Sequence, residues 1–483
     1  MSEPLIDLAL GVAEAPGIAY ADVRLIAPYR QISLAVRDGV AGALTSASSA
    51  GLGVRVRTAR AWGFAGTSEL TPAGVRTAAR TAVRLARAAS RTAKQPLRVT
   101  DDLGPLNGRY ASEVREDPFE VGPEEIVALL TDAERRLHVA PEIRNGIATF
   151  RAWEESKWFR SSDGAAYRSR IVHVGAGVAA TAIRGSQVQR RSYPATFGGD
   201  YRQAGVEFVR GLGLPDRAES VGHEALQLLD APACPTGVTT LVLESSQLAL
   251  QVHESVGHAV ELDRIYGSEA AFAGTSWVPV PEIGTLRYGS DLMHVVADAT
   301  EPGGLGTFGW DDEGVPGQRI PIVTAGTLVG VLSSRETGAR LGLPHSGGTA
   351  RADGPERAPL IRMTNVDLLP GDRSFEEILR GVDDGVYLAT NRSWSIDDKR
   401  LNFQFGTEWG RRIVKGELAE VVRNPIYSGM TPEFWASMDA VGDASTWHLW
   451  GVPNCGKGQP GQTARVSHGA PVARFRRVSV RGG

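Results

Sequence analysis

Apolar and polar positions change period several times along the chain, and each change marks an element. Residues 4–13 read as a helix. Residues 21–27 and 31–37 alternate apolar with polar, and Asp38-Gly39 after them is a hairpin-turn signal. Residues 51–57 and 61–66 continue as strands. Residues 70–90 return to helical spacing through Val75, Ala79, Val83 and Ala86, with Thr71 as N-cap and Pro72 in the first turn. A polar, irregular stretch over 92–121 separates this helix from a second amphipathic one at 123–139, striped by Ile126, Leu129, Leu130 and Leu137. Residues 144–191 are strand-rich, with a turn at Ser162-Asp163-Gly164, and a helix follows at about 217–229.

Two prolines and a glycine in 230–237 mark a boundary. Beyond it come a strand at 238–244 and a helix capped by Ser245 or Ser246. After Arg264 short strands and glycine turns dominate, with helical patterns only at 334–341, 375–381 and 432–438. The expected class is α+β. A mixed α/β domain with an antiparallel sheet spans 1–230, and a β-rich, barrel-like domain spans 231–483 and carries the 245–258 helix. No internal repeat or low-complexity segment is visible.

Composition excludes several classes. Apolar residues make up 42% of the 483 and charged residues 22%, which fits a soluble globular protein. A net charge of -3 argues against a nucleic-acid partner. The longest apolar run, 171–183, contains glycines and is too short to span a bilayer. The first residues are acidic and lack a basic leader, so the expected location is the cytoplasm. Two cysteines, Cys234 and Cys455, are too few for a disulfide framework.

Candidate chemistry concentrates in residues 251–263, QVHESVGHAVELD. His253, Glu254 and His258 form H-E-x-x-x-H, one residue longer than the zinc-protease helix motif. On a regular α-helix residues five apart diverge by about 140° around the axis, against about 40° for residues four apart. Either the pattern is accidental or the helix is distorted. A π-bulge near Gly257 would bring the histidines together. A catalytic zinc takes three protein ligands and keeps an open position. The third could be His294, His345, His448, His468 or a carboxylate, and the most suggestive is Cys455. Flanking glycines and Lys457 would favour its thiolate. Glu254, beside a ligand, suits the general base. His223-Glu224, with no second histidine after it, reads as helix surface. Cys234 reads as a packed thiol, and Asp311-Asp312-Glu313-Gly314 as a solvated turn. A cysteine hydrolase built on Cys455 leaves Glu254 without a task.

These landmarks resemble the TldD/PmbA family of metalloproteases: HESVGH at 253–258, Glu261-Leu262-Asp263, DDEG at 311–314, RMTN at 362–365, CGKGQ at 455–459 and the closing VSVRGG. The resemblance runs through most of 238–483 and is looser before it. It implies a TldD-type catalytic subunit. His253, His258 and Cys455 would hold zinc, and Glu254 would act as base on unfolded or flexible peptides laid against a sheet edge in an enclosed cavity. It also implies a dimer, with a TldE-like partner subunit or a second copy. The alternative is a non-catalytic subunit that binds peptides or a partner around a structural metal. DDEG and RMTN receive no role at this level.

Overall fold

The computed structural model describes residues 2–101 and 106–483. Residues 102–105, inside the stretch read as irregular, and Met1 lie outside the described residues.

The first half is built on one nine-stranded sheet. Its main path runs Trp62–Thr67, Thr45–Arg57, Tyr20–Arg37, Ile143–Ser161, Ala166–Arg184 and Asn107–Ala111. The two segments expected at 21–27 and 31–37 are a single strand, Tyr20–Arg37. It bulges between Ile26 and Tyr29 against both neighbours. Pro28 lies in that gap; it has no N–H to give to a ladder, so both neighbours skip it. Asp38 and Gly39 do form the hairpin turn, with φ of 49° and 78°. Thr71 caps the helix Pro72–Thr92 by accepting from the Gly74 N–H at 3.1 Å. This helix packs with Ser2–Ala13 around Leu52, Val54 and Val56 of the sheet. The helices Pro123–Leu137 and Leu214–Asp230 close a second core against Phe150, Val174 and Val178.

In the second half five strands close into a barrel: Gly237–Leu243, Asp384–Ile396, Asn402–Val414, Pro425–Met430 and Ala473–Gly482, the last pairing back onto the first. A barrel this narrow has no channel. Phe403, Phe405, Tyr427 and Phe475 are buried in the core of this half, with Tyr427 and Phe405 stacked at 5.6 Å. Beside it lie a four-stranded sheet that includes Val366–Leu368 and a hairpin of His448–Lys457 with Gln462–Ala470. The helix Ser245–Val252 leaves the first barrel strand directly. It is fixed to the barrel by Gln247 and Gln251, which both hydrogen-bond the Tyr427 hydroxyl. Its cap differs from expectation. Glu244, not Ser245 or Ser246, accepts from the Ser246 N–H at 2.8 Å, and the Ser245 hydroxyl turns away to the Ala470 carbonyl.

The DDEG segment also departs from its reading as a solvated turn. It turns, but Asp311, Asp312 and Glu313 are all buried. Asp311 accepts from the N–H groups of Glu313, Val315 and Ala350. Asp312 meets Lys157 at 2.6 Å, and Glu313 meets Arg55 at 2.6 Å. Both cations stand on the first-half sheet, so the segment joins the two halves through ion pairs. Composition suggested solvation because it could not show these partners.

Candidate metal centre

The helix changes pitch at the motif. Residues Ser245–Val252 are α-helical, and His253–Gly257 form a π turn in which the His258 N–H bonds the His253 carbonyl. The extra residue in that turn brings positions five apart onto one face, and the two imidazole centroids stand 4.9 Å apart. A π turn displaces backbone groups from their usual partners, and here they are re-satisfied from outside. The Tyr288 hydroxyl donates to the Ser255 carbonyl at 2.6 Å. The Ser255 hydroxyl donates to the Gln251 carbonyl and accepts from the Trp435 indole N–H at 2.9 Å. Gly257 is required by contact: a Cβ there would lie 2.1 Å from Met363 Sδ.

Hydrogen bonds determine the protonation of each ring nitrogen. The Val366 carbonyl can only accept, so His468 donates to it from Nδ1 at 2.9 Å. Burial, and then the neighbouring His253, push the His468 pKa well below its ordinary value, so the ring is neutral and its Nε2 is an acceptor. His253 Nδ1 therefore donates to His468 Nε2 at 2.7 Å, which leaves the His253 Nε2 lone pair free. On the other ring, His258 Nδ1 donates to Glu261 Oε2 at 3.0 Å, which frees its Nε2 too. Burial would raise the Glu261 pKa, but Lys457, His258 and Arg264 hold it well below the carboxylate range. Burial lowers the pKa of both His253 and His258, favouring the neutral form a metal needs.

Cys455 arrives from the hairpin, 197 residues beyond His258, with Sγ 3.6 Å from His258 Nε2. Burial raises its pKa, but Arg362 and His258 outweigh that and bring it below the ordinary thiol value. Lys457 does not contribute as expected. Its Nζ is bound to Asp263 at 2.7 Å and 2.9 Å and to the Ile361 carbonyl. The cation beside the thiol is Arg362, which donates to the carbonyls of Cys455 and Gln462. RMTN thus acquires roles: Arg362 holds the cysteine strand, Met363 packs on Gly257, and Asn365 ties the Asp298 carbonyl to Thr307.

The donor atoms of His253, His258 and Cys455 all lie within 4.8 Å of one another. Bond lengths of about 2.1 Å to imidazole and about 2.3 Å to thiolate at the tetrahedral angle place nitrogen and sulfur about 3.6 Å apart. The observed Cys455–His258 separation is 3.6 Å, so the group fits a tetrahedral metal. Glu254 is 6% exposed, with Oε2 in an ion pair with Arg400 Nη1 at 2.6 Å.

Of the other histidines considered, His468 stands behind His253, while His294, His345 and His448 lie outside the group. His448 pairs with Asp200. His223 is on an exposed helix surface, and Cys234 is a packed thiol whose pKa burial pushes up to about 11. A second acidic–histidine group, Asp38, Glu134 and His138, is committed to the 38–39 turn: Glu134 accepts from the Gly39 N–H, and Asp38 accepts from the Gly146 N–H. The motif gave no sign of Arg362 or Arg400. Glu261 lay in the quoted stretch, and its position three residues after His258 was the available signal.

The chain is similar to known proteins along most of its length. The model of the PmbA/TldA metallopeptidase C-terminal domain matches residues 236–482. Those of its domain 1 and central domain match 29–86 and 116–229. A metalloprotease of Methanothermobacter thermautotrophicus is 30% identical over 475 residues, 96% of each chain. A zinc metalloprotease TldD homolog of Saccharolobus solfataricus is 28% identical over 247 residues, 51% of this chain and 52% of that protein. The crystal structure of TldE from Thermococcus kodakarensis has the same fold, with a TM-score of 0.71 at 17% identity, covering 99% of both chains.

Proposed function

The chain belongs to the PmbA/TldD metallopeptidase family, and from that premise we propose that it is a zinc-dependent peptidase acting on unfolded or flexible peptides. His253, His258 and Cys455 hold the metal in this reading, and Glu254 is the general base. The observation that carries it is the convergence of two imidazole lone pairs and a thiol of lowered pKa within 4.8 Å. Zinc is favoured over harder cations by the sulfur and nitrogen donors, and the Saccharolobus relative is named for it.

Zinc bound there supplies Lewis-acid polarisation of a peptide carbonyl and of water. The protein's own part is to place and move a proton. Glu254 follows His253 in the same π turn, and its carboxylate takes a proton from water and returns it to the leaving amine. Arg400 anchors Oε2 and so fixes the carboxylate's direction. His468 and Glu261 keep the His253 and His258 rings in one tautomer and one orientation. His253 and His258 are each 4% exposed, so a folded protein surface cannot reach them. That burial favours flexible peptides over folded proteins as substrates. A TldE-like partner subunit or a second copy would enclose the site further. Among the described residues no helix is long and apolar enough to cross a membrane, and the cytoplasm is the proposed location.

The test is metal content and peptide cleavage in wild type, Glu254→Gln and Cys455→Ser. Glu254→Gln is expected to keep its zinc and lose cleavage by about 10²–10⁴-fold. Cys455→Ser is expected to lose metal. Unchanged cleavage in Glu254→Gln would remove the base from its role, and a folded wild-type chain that takes up no zinc would favour a non-catalytic binding subunit.

A further inference from the structure

A cavity of about 150 Å³ lies between the first-half sheet and the second half, behind the cysteine hairpin. We propose that it is a binding site for a small oxyanion, a carboxylate or phosphate group, held by Arg351, Arg362 and Arg465 beside His173. The peptidase reading does not require this site.

Three guanidinium groups line the cavity, and among the described residues none of them forms an ion pair with a carboxylate. Arg351 donates to the carbonyls of Met363 and Arg465. Arg362 donates to those of Cys455 and Gln462, and Arg465 donates to the Tyr29 hydroxyl and lies 4.5 Å over the Trp153 ring. The Nε atoms of Arg362 and Arg465 are buried with no partner. His173, also buried and lining the cavity, has an unpartnered Nε2.

The carboxylates in the same wall are already engaged. Glu155 and Asp312 share Lys157, at 2.8 Å and 2.6 Å, and Asp312 also lies 3.6 Å from Arg24. Asp353 accepts from the Thr463 N–H at 2.9 Å and lies 3.8 Å from Arg357. Asp311 accepts from three backbone N–H groups, and burial raises its pKa well above the carboxylate range. The charge of the three arginines is therefore left without a paired carboxylate. Burial, then the like charges of Arg362 and Arg465, bring the Arg351 pKa down to about 10. Clustered buried cations without counter-charge are costly, and an anion among them removes that cost. The planar fork of a guanidinium matches the two oxygens of a carboxylate or phosphate, which sets the ligand class. Phe308 and Trp310 line the same wall.

Binding is read on the full chain as the rise in thermal midpoint when chloride is replaced by inorganic phosphate or acetate at constant ionic strength, with titration calorimetry of phosphate alongside. A ligand that binds only the folded state raises the midpoint with the logarithm of its concentration. Wild type is expected to show that rise, and Arg465→Gln to need at least about ten times more anion for the same shift. Arg465 and Arg351 are both half-buried, so their glutamine variants are expected to fold, and Arg351→Gln repeats the test. No rise in wild type, or the same rise in the folded variants, overturns the site. A peptide acid that displaces phosphate where its C-terminal amide does not assigns the anion to a peptide terminus. Displacement by neither assigns it to a free small anion.

Discussion

Gly257 has no room for a side chain, because Met363 Sδ occupies the place of its Cβ. Gly257→Ala is expected to destabilise the protein by about 1–3 kcal/mol through overpacking. It should also lower metal content, since relief of the clash moves His258. Met363→Ala in the same chain should restore part of both losses, measured by denaturant midpoint and zinc per chain. Asp367 makes a prediction about pH. Burial pushes its pKa up to about 8, although it accepts from the Gly469 N–H. An unfolded aspartate titrates near about 3.9. Between these values the folded chain holds a proton that the unfolded chain has released, so this group's contribution to stability falls as pH rises through the window and levels off above it. Asp367→Asn should therefore gain on wild type progressively from pH 5 to 8 in unfolding free energy. An equal difference at both ends would show that Asp367 is ionised throughout. No local pattern marks this residue: an aspartate in a short apolar strand looks like any edge position until its neighbours are known.

The π turn His253–Gly257 is the element on which the centre depends. Its need was legible in the spacing of H-E-x-x-x-H, because a regular helix cannot aim residues five apart at one point. What holds it was not legible. Tyr288, Trp435 and Gln251 satisfy Ser255, and two of these come from distant segments. The ring behind His253 is the clearest case of a partner known only by position. His468 was a candidate third ligand by residue type, but its Nε2 is spent on His253 and its Nδ1 on Val366. His468→Ala should leave the fold intact and weaken zinc binding by about 10–100-fold, as loss of a ligand-orienting partner does. Competition with a chromogenic chelator measures this. Affinity equal to wild type would mean that His253 is oriented by the helix alone.

At the scale of the molecule, the two halves are joined by buried charge. Asp312 with Lys157, and Glu313 with Arg55, cross between the DDEG turn and the first-half sheet. Removing one partner of such a pair leaves the other uncompensated. Asp312→Ala is accordingly expected to cost about 3–5 kcal/mol and to separate the unfolding of the two halves in calorimetry. A single transition at the wild-type midpoint would show that apolar contacts suffice. By itself the sequence determined many of the elements, since period and turn chemistry are local properties: the Thr71 cap and the Asp38-Gly39 turn follow from neighbours within a few residues. It also singled out His253, Glu254, His258 and Cys455 as residue types with chemistry to offer. Tertiary structure alone decided what those side chains face. The cation beside Cys455 is Arg362 rather than Lys457, Glu254 is held by Arg400, and DDEG is buried rather than solvated. Each of these depends on a through-space distance between segments far apart in the chain, and electrostatics and burial follow that distance rather than separation along the sequence.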